Sequence, residues 1–288
     1  MSGPALGERG ARPARSRGYF RCGVPYGRFG HGPRTLVVFQ GLMFENRPPR
    51  WPSMGYRFLQ EAYTVYVVLR RPGLPSGYTM RDMADDYAVM IGEELGGPVD
   101  VIGVSTGGSI AQHFAADHPE LVRRLVLHSA AHVLSDHARR LQLRLRDLAL
   151  QRRWAAAYAL VIDELLPRTG AARYLRSPAV TVGPRLLGAF AAPASPSDLA
   201  VTIEAEDAHA FRERLPEITA PTLVVAGEND PFYTPALFRE TAEGIPGARL
   251  ILYPGMGHPA TGKQFARDLR AFLLDEPDLE REGQQPWR

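Results

Sequence analysis

The 288-residue chain has one cysteine, Cys22, and one lysine, Lys263. A single thiol closes no internal disulfide and begins no zinc motif, which excludes a disulfide-stapled scaffold and makes the reducing cytoplasm the expected home. No apolar run approaches the roughly 18 residues of a membrane-spanning helix, and the opening MSGPALGERGARPARSRG lacks the apolar segment of a secretory signal. No membrane partner is therefore expected. Internal repeats and low-complexity tracts are also missing. With 45% apolar and 23% charged residues, the composition excludes global disorder and collagen-like structure.

The net charge of +3 is unevenly distributed. The first 34 residues carry seven arginines (Arg9, Arg12, Arg15, Arg17, Arg21, Arg28 and Arg34) against Glu8, a local charge of +6, so the remainder carries −3. The body is thus not a basic nucleic-acid surface, and no nucleic-acid partner is expected. With Lys263 as the only lysine, the arginine content reads as a codon-level bias. Residues 1–17 are expected to be a disordered Arg-rich leader and 276–288 a polar tail.

Between them the pattern alternates. Tyr19 to Phe29, aromatic and punctuated by glycine, predicts a hairpin of short edge strands. Thr35 to Gln40 (TLVVFQ) and Thr64 to Leu69 (TVYVVL) are β-branched runs of the kind buried on both faces of a parallel sheet. A helix is predicted from Thr79 to Leu95, started by Thr79 with Asp82 three residues on. Strands follow at Val99 to Gly103 and Leu121 to His128, with a helix at Gly107 to His118 between them. Over 135–215 the strand signal disappears and leucines recur at helical spacing, which predicts a helical insertion. Strand rhythm resumes at Thr222 to Ala226, then a helix at Pro235 to Glu243, a strand at Arg249 to Tyr253 and a closing helix at Gly262 to Leu274. The alternation predicts an α/β fold, a mainly parallel sheet with helices on both faces. The core is expected over 18–134 and 216–275.

Gly103-Val104-Ser105-Thr106-Gly107 is a G-x-S-x-G placed between a predicted strand and helix. In that context small neighbours let the serine Oγ project above the sheet, with the helix N-terminus under the reacting carbonyl. Outside it, the same residues would be a glycine turn whose serine caps the helix. A serine needs a base, and the base an acid. His258 stands in Pro254-Gly255-Met256-Gly257-His258, just past a strand. His31 and His209 have no such position, and His113 and His118 fall in the helix after Ser105. Asp230 follows the strand Thr222 to Ala226 in Gly227-Glu228-Asn229-Asp230, with Glu228 and Asp136 as competing acids. For the oxyanion, one donor is the backbone N–H of Thr106, and the candidate for the other is the N–H of Leu42, in the loop Phe39-Gln40-Gly41-Leu42.

GVSTGG, AGENDPF, PGMGH and FQGL, in this order over roughly residues 18 to 275, resemble the α/β-hydrolase superfamily, in particular its cap-bearing members. The resemblance implies an eight-stranded, mostly parallel sheet with 135–215 as a helical cap over Ser105. Carried over by position, Ser105 resembles the nucleophile, Asp230 the acid, His258 the base, and Leu42 and Thr106 the oxyanion donors of a catalytic triad site. Two departures stand out. Gln40-Gly41 replaces the frequent His-Gly, and Arg70-Arg71-Pro72-Gly73-Leu74-Pro75-Ser76 replaces the frequent D-x-R-G-x-G-x-S.

Other motifs fail on context. Gly255 to Ala260 matches G-x-G-x-x-A, but no second strand follows to complete a dinucleotide unit. Gly257 to Lys263 spells G-x-x-x-x-G-K, but Gln264 stands where a phosphate loop needs Ser or Thr. His128, His132 and His137 do not share a helical face as zinc ligands would. No cofactor and no metal are expected. The leading expectation is an esterase-like serine hydrolase of an ester, lactone, thioester or related acyl bond in a small, partly apolar substrate. The alternatives are a non-catalytic small-molecule receptor of the same fold, and an acyltransferase or cofactor-free lyase using the same residues. Nothing in the sequence sets the oligomeric state.

Overall fold

The computed structural model describes residues 15–50, 55–166 and 173–275, with side chains left aside at 173–180. Eight strands form one sheet in the order β1-β2-β4-β3-β5-β6-β7-β8. The hairpin β1 (Ser16–Tyr19) and β2 (Pro25–Phe29) is antiparallel, and β2 runs antiparallel to β4 (Tyr63–Val68). From β4 onward every pairing is parallel, through β3 (Arg34–Phe39), β5 (Val99–Val104), β6 (Val122–His128), β7 (Thr222–Gly227) and β8 (Arg249–Tyr253). The β-branched runs fill the sheet centre, and β5 and β7 are buried at all six positions.

Parallel neighbours need crossover segments, which cover both faces. On one face lie α1 (Met80–Met90), α2 (Thr106–Asp117) and α7 (Pro235–Gly244), whose Met83, Tyr87, Phe114 and Phe238 join one core with Val37, Val101 and Leu127. On the other, Phe265, Leu269 and Leu273 of α8 (Lys263–Leu274) pack on Val38, Ile102 and Val225. Thr79 caps α1 as a reciprocal box with Asp82, as its spacing predicts. The helix continues as a π turn at Ile91–Leu95 and stops at Gly96 in the left-handed conformation, φ 77°.

Among the described residues between β6 and β7 lie the α-helices α3 (Asp136–Leu150), α4 (Trp154–Leu165), α5 (Arg173–Phe190) and α6 (Ser197–Asp207). They hold a core of their own, in which Leu145, Leu148, Trp154, Leu199 and Ile203 are joined by Leu42 and Phe44 from the loop after β3. Asp198 ties this bundle to the sheet by accepting from the backbone N–H groups of Gly73 and Leu74, at 3.0 and 2.9 Å. One boundary differs from expectation. Strand β1 starts at Ser16, where the leader was expected to run to 17, because Ser16 and Arg17 pair with Arg28 and Gly27 through backbone alone. Their side chains are exposed, so composition carries no trace of the strand. Residues 1–14 of the leader and the tail 276–288 lie outside the described residues, and among those described no helix is long and apolar enough to cross a membrane.

His128, at the end of β6, is 3% exposed; its Nε2 donates to the Ala260 carbonyl and its Nδ1 accepts from the Tyr56 hydroxyl, both at 2.7 Å. This fixes a neutral imidazole, and burial pushes its pKa down to about 4. The unfolded chain, with an ordinary histidine near 6.5, takes up the proton first. His128 therefore contributes its full stability above about pH 6.5 and loses it as the pH falls toward 4. Chemical denaturation of wild type and His128→Gln at pH 7 and pH 4 should show the stability gap between them shrinking by on the order of 3 kcal/mol.

Candidate functional site

The carboxyl ends of β3, β5, β7 and β8 carry the residues singled out above. Ser105 directly follows β5 and has φ 51° and ψ −125°, a conformation that costs a non-glycine residue about 1–3 kcal/mol. The strain is held by surrounding backbone. Ser105 N–H donates to the His128 carbonyl at 3.0 Å, and the Ser105 carbonyl accepts from Gly108 N–H at 2.6 Å. Gly107 is required here, since a Cβ would lie 2.0 Å from the Phe39 carbonyl oxygen. Gly41 lets the loop after β3 come against Ser105, where a Cβ would stand 3.3 Å from the serine Cβ. Thr106 is the first residue of α2, so its N–H has no partner within the helix.

Asp230 follows β7 and His258 follows β8. Asp230 Oδ2 accepts from His258 Nδ1 at 2.7 Å, with the aspartate side chain fully buried and the histidine 8% exposed. The other carboxylate oxygen, Oδ1, takes the backbone N–H groups of Phe232 and Tyr233 at 2.9 and 3.2 Å. With Nδ1 engaged as a donor, the Nε2 lone pair of a neutral His258 is left to accept a proton. The competing acids Glu228 and Asp136 are both exposed, and neither is hydrogen-bonded to His258.

Ser105 and His258 make no direct hydrogen bond among the described residues. Tyr233 lies beside His258, its ring centroid 6.2 Å from the imidazole, and its hydroxyl donates to Glu206 Oε1 at 3.5 Å. Other histidines have partners of their own. His118 pairs with Asp85 and His137 with Glu164, while His132 meets the Thr241 hydroxyl. His113 Nε2 lies 3.4 Å from His209 Nδ1.

The loop after β3 depends on a residue visible in the sequence only as a departure from the family pattern. Arg70 is 1% exposed and donates to the Gln40 carbonyl at 2.9 Å and to the Gly41 carbonyl at 3.0 and 3.1 Å. Burial pulls its pKa down, while the charges of Glu206 and Asp198 act the other way. The guanidinium thus fixes the two carbonyls of the loop that immediately precede Leu42. A buried arginine after a strand of valines has no sequence signature beyond its position.

The Alpha/beta hydrolase family model matches residues 17–268. Among curated relatives, "Putative carbamate hydrolase RutD" of Yersinia enterocolitica is 28% identical over 247 residues, covering 84% of this chain and 87% of that protein. A pimeloyl-[acyl-carrier protein] methyl ester esterase of Neisseria meningitidis is 27% identical over 196 residues, covering 65% of this chain and 62% of its own. A hydrolase of Pseudomonas aeruginosa PA01 superposes with a TM-score of 0.72 at 22% identity, over 90% of this chain and 98% of that one. The chain belongs to the alpha/beta hydrolase family, a family of enzymes.

Replacing Arg70 by Met should leave the Gln40 and Gly41 carbonyls without their donor. Urea denaturation is expected to show a loss of about 2–4 kcal/mol. In protein still folded at 25 °C, hydrolysis of an activated ester should fall by at least about 10-fold, as expected for a misplaced oxyanion donor.

Proposed function

We propose that the protein is a serine hydrolase that cleaves an ester, lactone, thioester or related acyl bond of a small, partly apolar substrate. The observation that carries this reading is the buried Asp230–His258 pair, bonded at 2.7 Å at the same sheet edge as a serine held in a strained turn. His258 Nε2 accepts the Ser105 proton as Oγ attacks the acyl carbon. Asp230 stabilises the imidazolium. The N–H groups of Leu42 and Thr106, with the positive end of α2, receive the developing oxyanion. His258 then protonates the leaving group, and a water activated by the same imidazole releases the acyl group from Ser105. Catalytic hydrogen bonds commonly tighten only when substrate is bound, so the free enzyme need not hold Ser105 on His258.

A serine nucleophile forms an acyl-enzyme, which fits acyl bonds rather than the alkyl-ester chemistry of an aspartate. The ester and carbamate named for the relatives are both acyl compounds attacked at a carbonyl. Leu42, Phe44, Trp154 and Tyr158 pack the loop after β3 against the helical insertion, with Phe44 and Tyr158 stacked at 4.3 Å. That contact supports the role of 135–215 as a cap. The single cysteine supports a cytoplasmic setting.

Labelling with a fluorophosphonate probe, read as intact mass, tests the assignment. Wild type should carry one adduct, Ser105→Ala none, and His258→Ala should react at least about 100-fold more slowly. A folded wild type that takes up no probe contradicts the reading and favours a receptor.

A further inference from the structure

Glu206, near the end of α6, is 1% exposed and has no part in the reaction as derived above. Four donors converge on its carboxylate. Thr106 Oγ1 and Gln142 Nε2 reach Oε2 at 2.7 and 3.0 Å, and Ser109 Oγ and Tyr233 Oη reach Oε1 at 3.1 and 3.5 Å. Burial pushes its pKa up, while the bonds from Thr106, Gln142 and Ser109 and the charge of Arg70 pull it down. A hydrocarbon side chain of similar size would fill the same space without that desolvation.

What the carboxylate adds is a grip on the first turn of α2, which reads Thr106-Gly107-Gly108-Ser109. Close neighbours require both glycines, since a Cβ on Gly107 would lie 2.0 Å from the Phe39 carbonyl oxygen and one on Gly108 2.2 Å from the Ala130 Cβ. Two glycines in succession weaken a helix turn and bring no side chain to anchor it. The two side chains that remain, Thr106 and Ser109, both end on Glu206. The insertion therefore holds this turn at its first residue, next to Ser105, and the N–H of that residue is the proposed oxyanion donor.

We propose that Glu206 is a positioning residue of the hydrolysis, which through its bonds to Thr106 and Ser109 fixes the first turn of α2 and keeps the Thr106 N–H directed at the developing oxyanion. The proposal rests on Ser105 being the nucleophile and Thr106 an oxyanion donor. Glu206 acts through the hydroxyl of Thr106, one residue from the attacking oxygen. Acylation and deacylation both pass through a negatively charged tetrahedral intermediate, so a misdirected Thr106 N–H slows both alike. Losing an interaction made only at the transition state lowers kcat and kcat/KM together and leaves KM where it was.

The test is steady-state hydrolysis of p-nitrophenyl acetate by the full-length chain, with the folding of each variant followed by urea denaturation. Glu206→Met, of similar size but without a carboxylate, should lower kcat on the order of 10-fold and keep KM within about 3-fold of wild type. Glu206→Gln retains an acceptor oxygen without the charge and should recover most of that loss. Thr106→Val removes the hydroxyl but keeps the backbone N–H, and should also slow kcat on the order of 10-fold. Combined with Glu206→Met it should add no more than about 3-fold, because the bond is already gone. Asp198→Ala cuts the other tie between insertion and core; it should lower stability yet leave kcat within about 3-fold of wild type. A wild-type kcat in Glu206→Met, a change in KM alone, a Gln variant as slow as the Met variant, or losses that multiply in the double variant would each overturn the proposal. An Asp198→Ala as slow as Glu206→Met would do the same, since any loosening of the insertion would then suffice. Should Glu206→Met not fold, Thr106→Val decides, and a wild-type kcat there overturns the proposal. Fluorophosphonate labelling in parallel separates the two levels of inference. If wild type is not labelled, the nucleophile assignment fails and takes this proposal with it; if wild type is labelled and kcat does not fall as described, this proposal fails alone.

Discussion

The site depends on one tight backbone crossing, where the turn from β5 into α2 passes between the end of β3 and the end of β6. Ser105 is held at a positive φ by bonds from both sides, to the His128 carbonyl and from Gly108. Gly107 has no room for a side chain against Phe39. Because the strained residue is gripped by the centre of the sheet, its energetic cost is carried by the most heavily buried strands of the protein. Loops alone could not hold it, since they open locally at little cost.

Around that turn, charge is handled by short bonds inside the protein rather than by solvent. Asp230 uses three donors, Glu206 four, and Arg70 gives three bonds to two carbonyls of a neighbouring loop. A buried ion left unpaired costs several kcal/mol, so each of these groups fixes its neighbours as firmly as they fix it. Polar satisfaction therefore doubles as alignment. Asp230, the loop after β3 and the Ser105 turn cannot shift separately without leaving a buried polar group unpaired.

Much of the architecture was legible in the sequence because parallel strands buried on both faces are written as unbroken β-branched runs, such as TLVVFQ and TVYVVL. Ser105, Asp230 and His258 were legible for a related reason. Each follows such a run through glycine or turn-forming residues, and strand ends of a parallel sheet share one edge. Arg70, Glu206 and Tyr233 were not, since each meets partners 27 to 100 residues away. A Glu in the helix AVTIEAED looks like a solvated face, and only the folded chain brings Gln142, Thr106 and Ser109 onto it. The start of strand β1 at Ser16 was misplaced for the opposite reason, because its pairing is all backbone and its side chains are exposed.

The helical insertion leaves the sheet after β6 and returns at β7, and these strands are immediate neighbours. Both ends of the bundle are thus rooted in adjacent rails of the scaffold, whose register is set by their own ladder. Helices in it can lengthen, shorten or be exchanged without sliding any strand past another. Descent can therefore remodel the insertion while the sheet below stays untouched, provided that α6 continues to supply Asp198 and Glu206, the side chains by which the interchangeable part grips the permanent one.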